Sequence, residues 1–311
     1  MLTNKLTSHL QKLTKNCPAI YKQFIYSKKE DPPTGGEKST FSDPLMEEQH
    51  TVVRGLIHKY NNRALILLTL NCAAYCRFCT RRRKVSDIQN GILSDKDLNN
   101  IIVYIKEHPE IKEIILSGGD PLTVPILLQK ILLKLSKLPQ IKIIRIGTRL
   151  PIADPEKINQ KLIEILKIAK NKTVYILIHF EHPQEITKRT ISAIQKLKLA
   201  SATLLSQSVF LKNVNDSFDT LYELFSKLIE VGVKPYYLYH CDPVKGAEHF
   251  IVDLKKEIKI VTELRKNLSG LAFPTYIIDA PNGAGKIPVP LEFWEFNPSK
   301  YRDFNGKILR G

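Results

Sequence analysis

Six short apolar runs recur along the chain at roughly thirty-residue spacing: ALILLTL (64–70), EIILSGGD (113–120), IKIIRIGT (141–148), TVYILIHF (173–180), ATLLSQSVFL (202–211) and PYYLYHCD (235–242). Each is short and bounded by turn-forming residues, which predicts a buried strand. Between them, residues 93–108, 124–138, 155–170, 183–198 and 217–232 carry apolar positions at helical spacing. Ser94 followed by Asp97 makes a capping-box-like start to the first of these helices. Alternating strands and helices, with the strands apolar on nearly every position, predict a parallel sheet covered by helices.

The polar residues of this region collect at the C-terminal ends of the predicted strands. They are a cysteine group after the first strand, Ser117-Gly118-Gly119-Asp120, Thr148-Arg149, His179, Gln207 and Asp242. In α/β barrels that end carries the chemistry. Six units fall short of the eight of a closed barrel, so the expectation is α/β with a partial, laterally open (β/α)6 barrel. The expected division is a polar and helical N-terminal extension over 1–55, the barrel over 56–270, and a C-terminal segment over 271–311.

Composition narrows the classes. Hydrophobic residues at 43% and charged residues at 25% are globular proportions and exclude a mainly disordered chain. Forty-seven basic against 31 acidic residues leave a formal charge of +16. No basic arm or stripe stands out, so the excess reads as lysine-rich surface plus a few anionic small ligands rather than a nucleic-acid face. The N-terminal residues show no signal-peptide pattern and no apolar stretch reaches membrane-spanning length, so a cytoplasmic protein is expected.

Five cysteines are too few and too clustered for a disulfide scaffold. Cys72, Cys76 and Cys79 follow the first strand in the spacing C-x3-C-x2-C. Three thiolates on one loop can converge on one inorganic centre. Structural zinc wants four ligands, and no second pair follows, although Cys241 or His240 could be recruited. A 4Fe–4S cluster also takes four thiolates as a rule, so three leave one iron open to a small chelating ligand. A zinc-stabilised basic RNA-binding protein is the alternative from a different class.

Cys72, Cys76 and Cys79 at the end of the first strand of such a βα run resemble the radical S-adenosylmethionine (SAM) superfamily. That resemblance implies a 4Fe–4S cluster whose open iron binds SAM and whose electron cleaves it to a 5′-deoxyadenosyl radical. Gly118-Gly119-Asp120 is similar to the superfamily's glycine motif, which lines the SAM amino group; His179, His182 and Gln207 match further positions of that pocket. The strings HKYNNRALILLTLNCAAYCRFCTRRR (58–83), LSGGDPL, RIGTRLP, HFEHP, QSVFLKNVND, KPYYLYHCD, EHF and DAPNGAGK together resemble the lysine 2,3-aminomutase family from about residue 50 to 310.

The family resemblance implies transfer of the α-amino group of L-lysine to the β-carbon, with a pyridoxal phosphate imine carrying the migrating nitrogen. Lys286 in Gly283-Ala284-Gly285-Lys286 matches the pyridoxal lysine, a catalytic role. Tyr60 and Arg63 match the cofactor-binding segment, with Lys59 standing where an arginine is usual. Arg81 matches the arginine for the substrate α-carboxylate. Asp242 and Asp279 match the aspartates that clasp the far ammonium; two neighbouring anions at strand ends are costly without a cation. The expected partners are lysine and an external electron donor, with room for a homo-oligomer and no membrane or nucleic acid. Larger members carry a further cluster of cysteines near the C-terminus, and none follows Lys286 here. The segment Ser42-Asp43-Pro44-Leu45 resembles compact relatives that supply (R)-β-lysine for elongation factor P. That role is the alternative reading, although those relatives usually lack a counterpart of Asp279.

Overall fold

A computed structural model of the protein describes residues 2–31, 41–85, 87, 91–280, 285–293, 300–302 and 307–310. Two helices, α1 (Ser8–Asn16) and α2 (Pro18–Phe24), precede three strands, β1 (Thr51–Val53), β2 (Leu56–Tyr60) and β3 (Arg63–Thr69). Helices and strands then alternate: α3 (Asp95–Glu107), β4 (Glu113–Gly118), α4 (Pro125–Ser136), β5 (Ile143–Thr148), α5 (Leu150–Ala153), α6 (Gln160–Lys167), β6 (Thr173–His179), α7 (Lys188–Lys198) and β7 (Thr203–Val209). They continue as α8 (Phe218–Glu230), β8 (Lys234–Tyr239), α9 (Leu254–Asn267) and β9 (Thr275–Ala280). β10 (Gly285–Pro288) turns back on β9, and β11 (Lys300–Arg302) pairs separately with β12 (Ile308–Arg310).

Strands β3 to β9 lie side by side in chain order and run parallel. β1 and β2 extend one edge antiparallel, and β10 extends the other. Among the described residues the two edges do not pair, so the barrel stays open on one side, as the unit count predicts. All six expected βα units are present, and β9 adds a seventh parallel strand. The crossover into β9 is α9, which the sequence reading passed over; it buries Ile260, Val261 and Leu264 and leaves its lysines outward. The sheet runs without interruption past residues 55 and 270. The expected capping box is formed: Ser94 Oγ accepts from the Asp97 N–H at 3.2 Å, and Asp97 accepts from the Ser94 N–H at 2.8 Å.

The strands are more two-faced than their sequences suggest. Ile114, Leu116, Ile144, Ile146, Ile176 and Ile178 are fully buried in the core shared with the helices. Their alternating neighbours Ile115, Ser117, Arg145, Gly147, Leu177 and His179 line an interior cavity instead. The period of two thus separates a packed core from a cavity wall. At the N-terminus, Leu10, Cys17, Ile20 and Phe24 recur three, four or seven apart and bury 95% or more of their surface in that core. The helices of this segment, α1 and α2, turn an apolar face inward.

Candidate active site

A cavity of about 510 Å³ opens at the C-terminal ends of the parallel strands. Every residue that the resemblance implies for metal, cofactor or substrate lines it except His182: Tyr60, Arg63, Cys72, Cys76, Cys79, Arg81, Gly118, Gly119, Asp120, His179, Gln207, Asp242, Asp279 and Lys286. His182 sits outside and caps a turn, its Nδ1 accepting from the Gln184 N–H at 3.3 Å. Parallel topology explains most of the convergence, because residues that end successive strands must share one rim. Tyr60 and Arg63 instead line the cavity from the start of β3, at the opposite end of the strands.

The cysteine loop forms one end of the cavity. Burial is the first cause that pushes all three thiols up; Cys79 reaches about 11, with Cys76 adding to its shift. Buried thiolates facing one another are costly unless a cation joins them, so the donor set fits a positively charged inorganic centre. Cys72, Cys76 and Cys79 all line this end of the cavity.

The loop is fastened from behind. Arg77, between the second and third cysteines, is fully buried and pairs with Glu30, its Nε donating at 2.8 Å and 3.1 Å. Its remaining nitrogens reach Glu30 again and the carbonyls of Leu2 and Thr3 at 3.0 Å and 3.3 Å. Arg82 joins Glu30 at 2.6 Å. Lys5 donates to Asn71, just before Cys72, at 2.7 Å. The residues before α1 and after α2 therefore hold the loop.

Gly118 and Gly119 form a backbone cradle beside that loop. Gly118 has φ +112°, and a Cβ there would lie 2.2 Å from the Thr69 carbonyl oxygen. A Cβ on Gly119 would lie 2.2 Å from the Asn71 carbonyl oxygen. Only glycine lets β4 end against the start of the cysteine loop. Gly119→Ala is expected to cost on the order of 1–3 kcal/mol through overpacking, read by chemical denaturation, and to weaken SAM binding in equilibrium dialysis. The Asp120 carboxylate braces neighbouring strand ends: it accepts from Thr148 Oγ1 at 2.9 Å, the Arg149 N–H at 2.8 Å and the Leu122 N–H at 3.0 Å.

The opposite end is acidic and aromatic. Lys286 stands across the β9–β10 ladder from Asp279 and is hydrogen-bonded to it, with its ammonium 4.8 Å from the centre of the Tyr239 ring. Burial and then the Asp279 charge push the Asp242 carboxyl up to about 7. Arg63 lies 4.0 Å from the centre of the Tyr60 ring, its cross-strand partner. Arg81 meets an unforeseen carboxylate: its Nε donates to both oxygens of Glu47 at 3.0 Å, while NH1 reaches Ser117 Oγ at 3.1 Å.

Sequence reasoning missed Glu47, Arg145, Tyr237, Tyr239 and the role of Arg149, all of which line the cavity. Arg149 was visible at a strand end, and Arg145 and Tyr237 share the inward phase of their strands. Nothing in the sequence marked Glu47.

Residues 66–241 match the family model described as the Radical SAM superfamily. Over 293 residues the chain is 40% identical to an L-lysine 2,3-aminomutase of Methanococcus maripaludis, covering 93% of this chain and 66% of that one. Over 250 residues it is 41% identical to an L-lysine 2,3-aminomutase of Buchnera aphidicola, covering 80% and 73%. The chain belongs to the lysine 2,3-aminomutase family of the radical SAM superfamily. The same comparison finds 35% identity over 272 residues to a glutamate 2,3-aminomutase of Clostridioides difficile, covering 86% and 64%. The chain spans 66% of the Methanococcus relative and 59% of one from Clostridium subterminale. A radical SAM methyltransferase from Sphaerobacter thermophilus shares the fold, with a TM-score of 0.53 at 13% identity over 72% of this chain and 68% of that one. Membership of the radical SAM superfamily supports a 4Fe–4S cluster and SAM as cofactors.

Proposed function

We propose that this protein is a radical aminomutase that converts L-lysine to β-lysine, with pyridoxal phosphate on Lys286. The observation that supports it best is the pairing of Asp242 and Asp279 beside Lys286, across one cavity from the three cysteines. Pyridoxal phosphate, when bound, supplies the π system that carries a migrating amino group. Tyr60 and Arg63 would hold it, with Lys59 as a further cation against its phosphate. Residues 271–311 would then be its anchoring segment.

The chain's own residues give lysine a direction. Asp242 and Asp279 attract the side-chain ammonium at one end, and Tyr239 presents a ring face to the same cation. Arg81 offers a guanidinium for the α-carboxylate at the other end, in competition with Glu47. A glutamate side chain would put a third carboxylate against the aspartate pair, which disfavours it. The test is anaerobic turnover of the reconstituted protein with SAM, pyridoxal phosphate and a reductant, with the products separated by chromatography. β-Lysine is expected; turnover of glutamate with none of lysine would overturn the substrate assignment.

Asp242 makes binding pH-dependent. Its folded-state value of about 7 lies above the ordinary 3.8, so the folded protein holds this proton more tightly than the unfolded chain. Stability from this group is therefore present at low pH and lost as pH rises through 7. A bound ammonium favours the ionised form, so lysine binding releases the proton. Affinity should rise by up to about tenfold per pH unit below 7 and level off above it. Calorimetric titration against pH checks this, and Asp242→Asn should flatten the profile.

A further inference from the structure

Arg149 follows β5 and is 9% exposed. Its NH1 donates to Cys76 Sγ at 2.8 Å. Its NH2 donates to Glu185 at 2.9 Å and to Gln23 Oε1 on α2. The guanidinium carbon lies 4.6 Å from the centre of the Phe24 ring and 5.5 Å from that of Phe78. Glu185 is fully buried and is itself held by the Glu181 N–H at 2.8 Å. Three segments distant in sequence thus meet on one cation, which touches a cysteine sulfur.

Hydrogen bonds and charge at the sulfurs set the potential of an iron–sulfur cluster. A low dielectric strengthens both effects. On one-electron reduction the cluster and its thiolates become one unit more negative. A buried guanidinium against one sulfur favours that state, and a buried carboxylate behind it opposes it.

We propose that Arg149 sets the reduction potential of the cluster through its hydrogen bond to Cys76, with Glu185 as the opposing charge and Gln23 holding the guanidinium in register. This rests on the reading of Cys72, Cys76 and Cys79 as cluster ligands. The step concerned is transfer of one electron from a low-potential donor such as dithionite; no bond forms or breaks. Arg149 is a positioning residue here, acting through Cys76.

The test is a redox titration, followed by electron paramagnetic resonance, of the anaerobically reconstituted full chain without SAM. Arg149→Gln should lower the midpoint so that the reduced-to-oxidised ratio at the wild-type midpoint falls about tenfold, equivalent to about 59 mV for one electron. Arg149→Lys should recover part of the shift. Glu185→Gln should move the midpoint the other way, a sign that a merely structural disturbance would not produce. Glu185→Gln leaves Arg149 in place, so it decides the matter alone if Arg149→Gln takes up no cluster. Unchanged midpoints, or shifts of the same sign in both variants, would overturn the proposal. So would an Arg149→Gln variant that loses SAM affinity at an unaltered midpoint. Absence of iron and sulfide from the wild-type protein would instead sink the cluster reading beneath it.

Discussion

Lys286→Ala is expected to abolish covalent capture of pyridoxal phosphate and to lower turnover by about 10³-fold or more, the scale on which removal of a covalent catalytic group registers. Among the described residues two lysines line the cavity, Lys286 and Lys59, so Lys59 is the competing anchor. Lys59 lies on β2, its ammonium 5.4 Å from the centre of the Tyr60 ring. Lys286 lies on the opposite edge of the sheet, held by Asp279 and over Tyr239. The wild-type protein and Lys59→Ala should both retain the cofactor through borohydride reduction and gel filtration, and Lys286→Ala should lose it. The brown colour of the cluster should persist in all three. Retention in Lys286→Ala with loss in Lys59→Ala would move the anchor to Lys59.

Arg77→Ala is expected to cost up to about 3–5 kcal/mol, because it removes one of the two arginines that pair the buried Glu30 carboxylate and leaves only Arg82. Arg77 is wholly inaccessible, and Glu30 is 8% exposed. Burial works to raise the Glu30 carboxyl, but hydrogen bonds from Arg77 and Arg82 outweigh it and hold the group below its usual range. Stability from this pair is therefore present above the ordinary carboxylate range and is lost as pH falls through it. Chemical denaturation of the cluster-free protein measures the cost. Arg77→Met with Glu30→Gln should recover much of it, since both charges then leave together and Arg82 is the residual cation. A cost below about 1 kcal/mol for Arg77→Ala, the range of exposed pairs, would mean that Glu30 does not hold the loop. The same variant should also lower iron uptake, because the loop between the cysteines would lose its fastening.

The parts of the site legible in the sequence are those carried by local strings. Cys72, Cys76 and Cys79 stand out by their spacing alone, whereas Gly118-Gly119, Asp242, Asp279 and Lys286 are read through the family resemblance of the strings that hold them. The helical N-terminus was half legible: Leu10, Ile20 and Phe24 have helical spacing, but the surrounding polar residues and Asp31-Pro32-Pro33 masked it. Glu30–Arg77, Glu47–Arg81 and Cys76–Arg149 were not legible. Their members are 47, 34 and 73 residues apart, and no local pattern links either member to the other.

By itself the sequence determined the order of strands and helices and the rim on which the chemistry would lie. Period-two and helical apolar patterns are local signals of burial, and parallel topology turns successive strand ends into neighbours. The tertiary structure decided which charge meets which. The three arginines at the cysteine loop could each have faced water. Packing removed that option, and in a low-dielectric interior each had to find a specific carboxylate, carbonyl or sulfur.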